Sequence, residues 1–549
     1  MNSPNMIILY NGHIHTLDLN QPTASTLAIQ GGWIQEVRND FAHKQEGVQI
    51  YDLAGRTVIP GLIDAHLHLQ QYALSIQKVN CETKTLHECL QRVQDHSHQT
   101  LPGDWILGHG WNQNEWQDRR EESVDGGLIL SPVSHLPSSI FPTAAQLDFI
   151  APNHPVYLTA KSLHAAWVNT TALQMAGITV QTPDPTGGQI LRDSDGKPTG
   201  ILLESAMQMV FKVIPEPTLE QVIQAIQDAQ SKLWRMGVTG LHDFDRRICF
   251  TALQVMQTRD QLGLRVIKSI PYEDLSNAIA LGLRTGYGND FLRIGAVKMF
   301  ADGALGPRTA AMFQPYESET DQRGMLLLDT EQLFEQGKIA VENGLSLAVH
   351  AIGDRANHEV LNAIEKLHRL ERVKLRHRIE HVQLIQPDDA LRLAPIGVIA
   401  SMQPIHAPSD MLMADRNWGE RSANAYAWRM LLNHNTSLAF GSDAPVESPN
   451  PFWGLYAAVS RRRADGTPTP NGWYPEQRLS IMEAMQCYTT GAAFAAGMDH
   501  YQGKLAPGYL ADLLVLDDDP FTCPPEQLLE IHPVATMVNG EWVYQEIFD

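Results

Sequence analysis

Cysteine is scarce and poorly spaced for its usual structural uses. The five present, Cys81, Cys89, Cys249, Cys487 and Cys523, form no Cys-x-x-Cys pair and leave one over from any even pairing. That excludes a zinc knuckle or a disulfide framework and fits a reducing compartment. Long apolar runs are lacking too. No stretch approaches the roughly 20 apolar residues of a membrane span, and the short run Met6-Ile7-Ile8-Leu9 follows no basic segment, so no secretory signal is expected. Positive charge is in deficit, with 41 Lys+Arg against 62 Asp+Glu and a formal charge of -21, which opposes binding to nucleic acid or to an anionic membrane. There is no phosphate-cradling glycine loop, no repeat array and no low-complexity tract. A cytoplasmic protein with a solvated acidic surface is expected.

The chain has 549 residues, 43% hydrophobic and 19% charged, enough for a large core and at least one smaller domain. Short alternating runs separated by Asn11-Gly12 and Gly31-Gly32 look like antiparallel strands, and the same pattern returns near the far end with Asn539-Gly540. Residues 1–57 and 503–549 are therefore expected to build one small β-sandwich domain from both chain ends. Between them, in 58–502, strand-like runs alternate with helical patterns, which predicts an α/β fold, a (β/α)8 TIM-like barrel with its site at the strand C-terminal ends. Residues 83–207 are too long for one barrel connection and are expected to be an insertion after strand 1 that caps the mouth.

The apolar runs end repeatedly in residues able to bind metal. Val58-Ile59-Pro60-Gly61-Leu62-Ile63-Asp64-Ala65-His66-Leu67-His68 closes on two imidazoles two residues apart, which a strand sends to one face. Lys298 lies late in one run, and His350, His381 and Asp443 each close another. Singly, each has a plainer explanation: polar edge histidines, a buried lysine paired with Asp302, an aspartate capping a helix. Six such residues on successive strand ends point to a metal site.

Stretches 58–69, 105–116, 166–177, 187–204, 297–309, 350–356, 377–383, 440–446 and 503–513 together resemble the amidohydrolase superfamily, specifically its amidohydrolase-3 group of YtcJ-like proteins and N-substituted formamide deformylases. The resemblance implies two divalent metal ions, usually zinc. His66, His68 and Asp443 would hold the more buried ion, and His350 and His381 the outer one. Lys298, N-carboxylated, would bridge them. It further implies hydrolysis of a non-peptide C–N bond in an N-substituted amide or formamide, with metal-activated hydroxide attacking and Asp443 moving the proton. An esterase, lactonase or other hydrolase on the same centre, or an inactive barrel serving as a binding or assembly protein, are the competing readings.

Asp64 and Asp302, beside ligands, are expected to orient them, and His377 to be a core residue. Trp111, His164, Arg308, Gln403 and His406 are the candidate substrate contacts, with Phe313, Trp418 and Trp453 near the rim. The expected partner is a small amide-like molecule, without nucleic acid or membrane; self-association into a homo-oligomer is left open.

Overall fold

Two adjoining strands show how the chain enters its main unit. Thr57–Pro60 and Leu62–Leu67 are buried at every position, yet they belong to different sheets. The switch falls at Gly61, where a Cβ would lie 2.3 Å from Thr239 Oγ1, so only glycine lets the two chains approach this closely. The structure is a computed structural model that describes residues 6–40, 48–113, 116, 141–162, 164–317, 319–370 and 374–548.

Leu62–Leu67 is β1 of an eight-stranded parallel sheet, followed in order by β2 (Val238–Asp243), β3 (Arg265–Pro271), β4 (Leu292–Phe300), β5 (Leu347–Ala351), β6 (Arg378–His381), β7 (Ile399–Met402) and β8 (Leu438–Phe440). Sequential neighbours pair throughout, which is barrel topology. At the C-terminal end the seam between β8 and β1 is drawn together by Asp443 N donating to His66 O at 2.7 Å and His68 N donating to Ala444 O at 2.9 Å. Helices cover the outside. In Leu219–Arg235, Val222, Ile223, Ala225, Ile226, Ala229 and Leu233 are buried at three- and four-residue spacing, while acidic and basic residues fall on the other face. Thr330–Glu342 begins with a reciprocal cap in which Asp329 accepts from Gln332 N and Gln332 returns the bond.

The terminal segments form two further sheets. One has four strands from 6–52; the other combines His13–His15, Thr23–Ala24 and Thr57–Pro60 with Leu513–Leu516, Pro533–Val538 and Glu541–Gln545. Leu9, Ile14, Leu27, Val58, Leu513 and Met537 share one apolar cluster between them. Buried Arg265 at the start of β3 grips Asp512 through two contacts of 2.6 and 2.8 Å, and Asp512 also accepts from Asn539 N, linking barrel and terminal sheet.

The second compact unit is 74–218. Its six-stranded sheet carries one cluster around Trp111, Trp116 and Trp167 and another around Tyr157, Leu173 and Val210. Residues 114, 115, 117–140 and 163 of it lie outside the described residues. Among the described residues no helix is long and apolar enough to cross a membrane.

Candidate metal centre

At the C-terminal ends of the barrel strands, four imidazoles crowd together. The His66 and His68 ring centroids are 5.7 Å apart, His66 and His381 5.0 Å, and His350 and His381 4.6 Å. Asp443 follows β8 with a positive φ of 60°, and its Oδ1 lies 3.5 Å from His66 Nε2 and 3.4 Å from His68 Nε2. The donor atoms of His66, His68 and Asp443 all fall within 4.8 Å of one another. Gly441 makes the approach possible: a Cβ there would sit 2.4 Å from His66 N.

Each imidazole has one nitrogen already engaged. His66 Nδ1 donates to Glu380 Oε2 at 2.6 Å, His68 Nδ1 is 3.3 Å from Asp245 Oδ1, His381 Nδ1 donates to Gln403 Oε1 at 2.8 Å, and His350 Nε2 donates to Gly303 O at 2.9 Å. A proton fixed on one nitrogen leaves the lone pair on the other, which is the form that binds a metal. Burial, reinforced by the Lys298 charge, pulls His66 down to about 4, and the same two causes bring His350 to about 4. Burial and then His350 hold His381 well below its ordinary range. Burial acts the same way on His68, but Asp245 and Asp443 outweigh it and raise that ring to about 9. A dication beside Asp443 would take the place of that proton.

The acids around the rings are fixed in turn. Burial disfavours ionised Glu380, yet the Arg378 guanidinium and His66 keep it well below the usual carboxylate range. Asp443 is likewise held ionised against burial, first by His66 and then by His68. Asp64 accepts from His66 N and from the amide and hydroxyl of Ser442, and Asp302 accepts from Ala311, Ile352 and Gly353 amides. Burial still brings both carboxyls up to about 7. Both therefore brace backbone near the strand ends.

Lys298 is 6% exposed, with Nζ 4.6 Å from the Phe244 ring and 5.1 Å from Phe300. Burial lowers it to about 8 although Glu380 and Asp443 pull the other way. The Phe244 ring stacks on His66 at 4.1 Å, so lysine and imidazole pack against one aromatic ring. Among the described residues no carboxylate is in ion-pair contact with Lys298, and Asp302 is occupied by backbone.

The remaining sequence candidates separate by place. Gln403 is buried against His381, and His406 Nε2 donates to Ser442 O at 3.1 Å, so both support ligand positions. Arg308 is paired with Glu319 at 2.8 Å. Trp111 and His164 belong to the second unit, Trp111 fully buried with its indole donating to Leu158 O at 2.9 Å, and His164 exposed beside Glu204. His377 is buried and accepts from Leu347 N at 3.0 Å. Trp418 is buried in the barrel core, while Trp453 is 43% exposed. Sequence reading missed Glu380 and Asp245, although Glu380 directly precedes His381 and Asp245 lies two residues beyond β2. The signal available was a charged residue at each strand end, next to a histidine or facing one.

Imidazoles with one nitrogen already engaged, an ionised carboxylate and a buried lysine suit a divalent transition-metal ion better than a large oxygen-seeking one. The comparisons with known proteins agree. A family model described as amidohydrolase family matches residues 49–544. The putative amidohydrolase YtcJ of Bacillus subtilis is 32% identical over 502 residues, covering 90% of each chain. An N-substituted formamide deformylase of Arthrobacter pascens is 26% identical across 98% of each. The crystal structure of an uncharacterized metal-dependent hydrolase from Pyrococcus furiosus superposes with a TM-score of 0.75 at 28% identity, covering 94% of this chain and all of that one. With its parallel barrel, its histidines gathered at the strand ends and a match running through nearly its whole length, the chain belongs to the amidohydrolase family of metal-dependent hydrolases.

Proposed function

We propose that the protein hydrolyses a non-peptide C–N bond in a small N-substituted amide or formamide. The observation that carries the reading is the convergence of His66, His68 and Asp443 donor atoms within 4.8 Å, each imidazole having its other nitrogen engaged. His66, His68 and Asp443 would hold one divalent ion and His350 and His381 a second, with Lys298 serving both. Bound there, such ions lower the pKa of water and polarise a carbonyl. Zinc suits the imidazole-rich set.

The chain's own groups do the rest. Lys298, with its amine near pKa 8, has an uncharged fraction able to add carbon dioxide. Nζ forms a bond to carbon and gives up a proton, and the carbamate so formed is an anion with two oxygens where an ammonium would repel cations. Asp443, ionised and adjoining both β1 imidazoles, takes the proton from water as the C–O bond forms and returns it to nitrogen as the C–N bond breaks. Water and amide become acid and amine, or formate and amine from a formamide. The choice of bond is supported by likeness to the Arthrobacter pascens deformylase.

The test is release of formate or amine from a panel of N-substituted formamides and amides, run beside simple esters and lactones. Amide turnover is expected. Turnover of esters or lactones alone overturns the bond assignment, and no turnover of any of them by metal-loaded protein overturns the reading as a whole.

A further inference from the structure

Far from the barrel strand ends, the terminal sheet carries a second His-x-His. His13 and His15 share one face of the strand His13–His15, with ring centroids 4.5 Å apart. Both face a single oxygen. Asp519 Oδ2 is 3.3 Å from His13 Nδ1 and 3.3 Å from His15 Nε2. The donor atoms of these three residues lie within 4.8 Å of one another, as they do at His66, His68 and Asp443.

We propose that His13, His15 and Asp519 form a separate binding site for a divalent transition-metal ion of the zinc class, and that the bound ion clamps the two ends of the chain together. The spacing is the first support. A charge-assisted N–H···O bond draws its atoms to about 2.7–2.9 Å, whereas two ligands on a tetrahedral ion at ~2.0–2.1 Å stand roughly 3.3 Å apart. The corresponding separations at the barrel centre are 3.5 and 3.4 Å.

The second support is that the ligands are held in place. Asp519 Oδ1 accepts from Phe521 N at 2.9 Å, which orients the carboxylate and leaves Oδ2 for the ion. Asp519 O accepts from Thr522 N and Cys523 N, closing the turn. The Phe521 ring stands 4.2 Å from the His15 ring and limits its rotation. His15 and Asp519 side chains are 11% and 12% exposed, whereas His13 is 51% exposed, giving an ion a path in and leaving room for water as a further ligand.

Two imidazoles with one carboxylate favour zinc, cobalt or nickel over calcium or magnesium, which prefer all-oxygen shells. The role is structural. His13–His15 pairs with one side of Thr57–Pro60, and Leu513–Leu516, which leads to Asp519, pairs with the other. An ion on all three side chains therefore ties His13–His15 to the segment that follows Leu513–Leu516, across the strand Thr57–Pro60 that both flank.

The full-length protein is loaded with zinc, desalted and analysed for metal per chain, beside His13→Ala and Asp519→Asn. Each variant is expected to hold about one ion fewer than the parent while keeping its hydrolase activity, and zinc added after the barrel centre is filled should raise the Tm of the parent alone. His68→Ala, which strips a barrel ligand, should leave this second ion in place, so failure here and failure of the catalytic reading are separately visible. His13 is half exposed, so its variant folds even where Asp519→Asn does not. An unchanged ion count in His13→Ala, with an unchanged thermal response to zinc, overturns the proposal and leaves the three residues as a hydrogen-bonded cluster.

Discussion

Glu380 holds the His66 ring at Nδ1 and is itself gripped by Arg378, so it sets both the tautomer and the tilt of a proposed ligand. Glu380→Gln is expected to weaken metal affinity about 10–100-fold, measured by competition with a chromophoric chelator; undiminished affinity would show that the ring is oriented by its neighbours alone. Asp443→Asn keeps the shape but loses the proposed base, and kcat should fall by about 10²–10⁴-fold, read from amine release by metal-loaded enzyme. The two residues differ in how visible they are from sequence. Asp443 ends an apolar run, where a charge stands out. Glu380 lies between Ile379 and His381, and a carboxylate there reads like any solvent-facing break until its burial and its partners are known.

At the scale of an element, strand ends are legible because a barrel strand is buried on both faces and its first polar residue marks the exit from the core. That is why positions 66, 68, 298, 350, 381 and 443 can be picked out. What the pattern misses is local twist. Glu380 and His381 are consecutive, so strict alternation would send them to opposite faces, yet both rest against His66; the positive φ of 76° at His381 turns its side chain back. The extent of the second unit, 74–218, is decided by contacts rather than by composition.

Helix Ile481–Gln486 offers a cleaner electrostatic test away from the centre. Ser480 and Glu483 form its reciprocal cap, and Arg429 holds the Glu483 carboxylate with two contacts, of 2.7 and 2.5 Å. Arg429 is the main cause of a Glu483 pKa lowered to about 2. A folded value below the unfolded one, about 4.3, stabilises the protein above that pH and is lost as pH falls through about 2. Glu483→Gln should therefore lower Tm near neutrality by an amount that shrinks between about pH 4.3 and 2. A gap that stays constant over that range would assign the effect to the cap alone.

For the molecule as a whole, the buried Arg265–Asp512 pair joins barrel to terminal sheet. Asp512→Ala strands a guanidinium in a dry site and should cost about 3–5 kcal/mol of stability, measured by urea unfolding. Replacing both residues with apolar ones of similar size should cost less, because no charge is left without its partner. That coupling could not be read from the chain, since its members lie 247 residues apart and nothing local to either residue points to the other. The broad plan was readable, because strand–helix alternation and turn-rich ends are local patterns.

Thr57–Pro60 has neighbours on both sides, one of them Leu513–Leu516. On a ribosome extending at ~5–20 residues per second, the early strand waits roughly 20–90 s for that neighbour to be synthesised. Until then its hydrogen-bonding edge is open to any passing strand. Nascent chains stalled before position 513 should thus be the forms that chaperones retain and that aggregate when released.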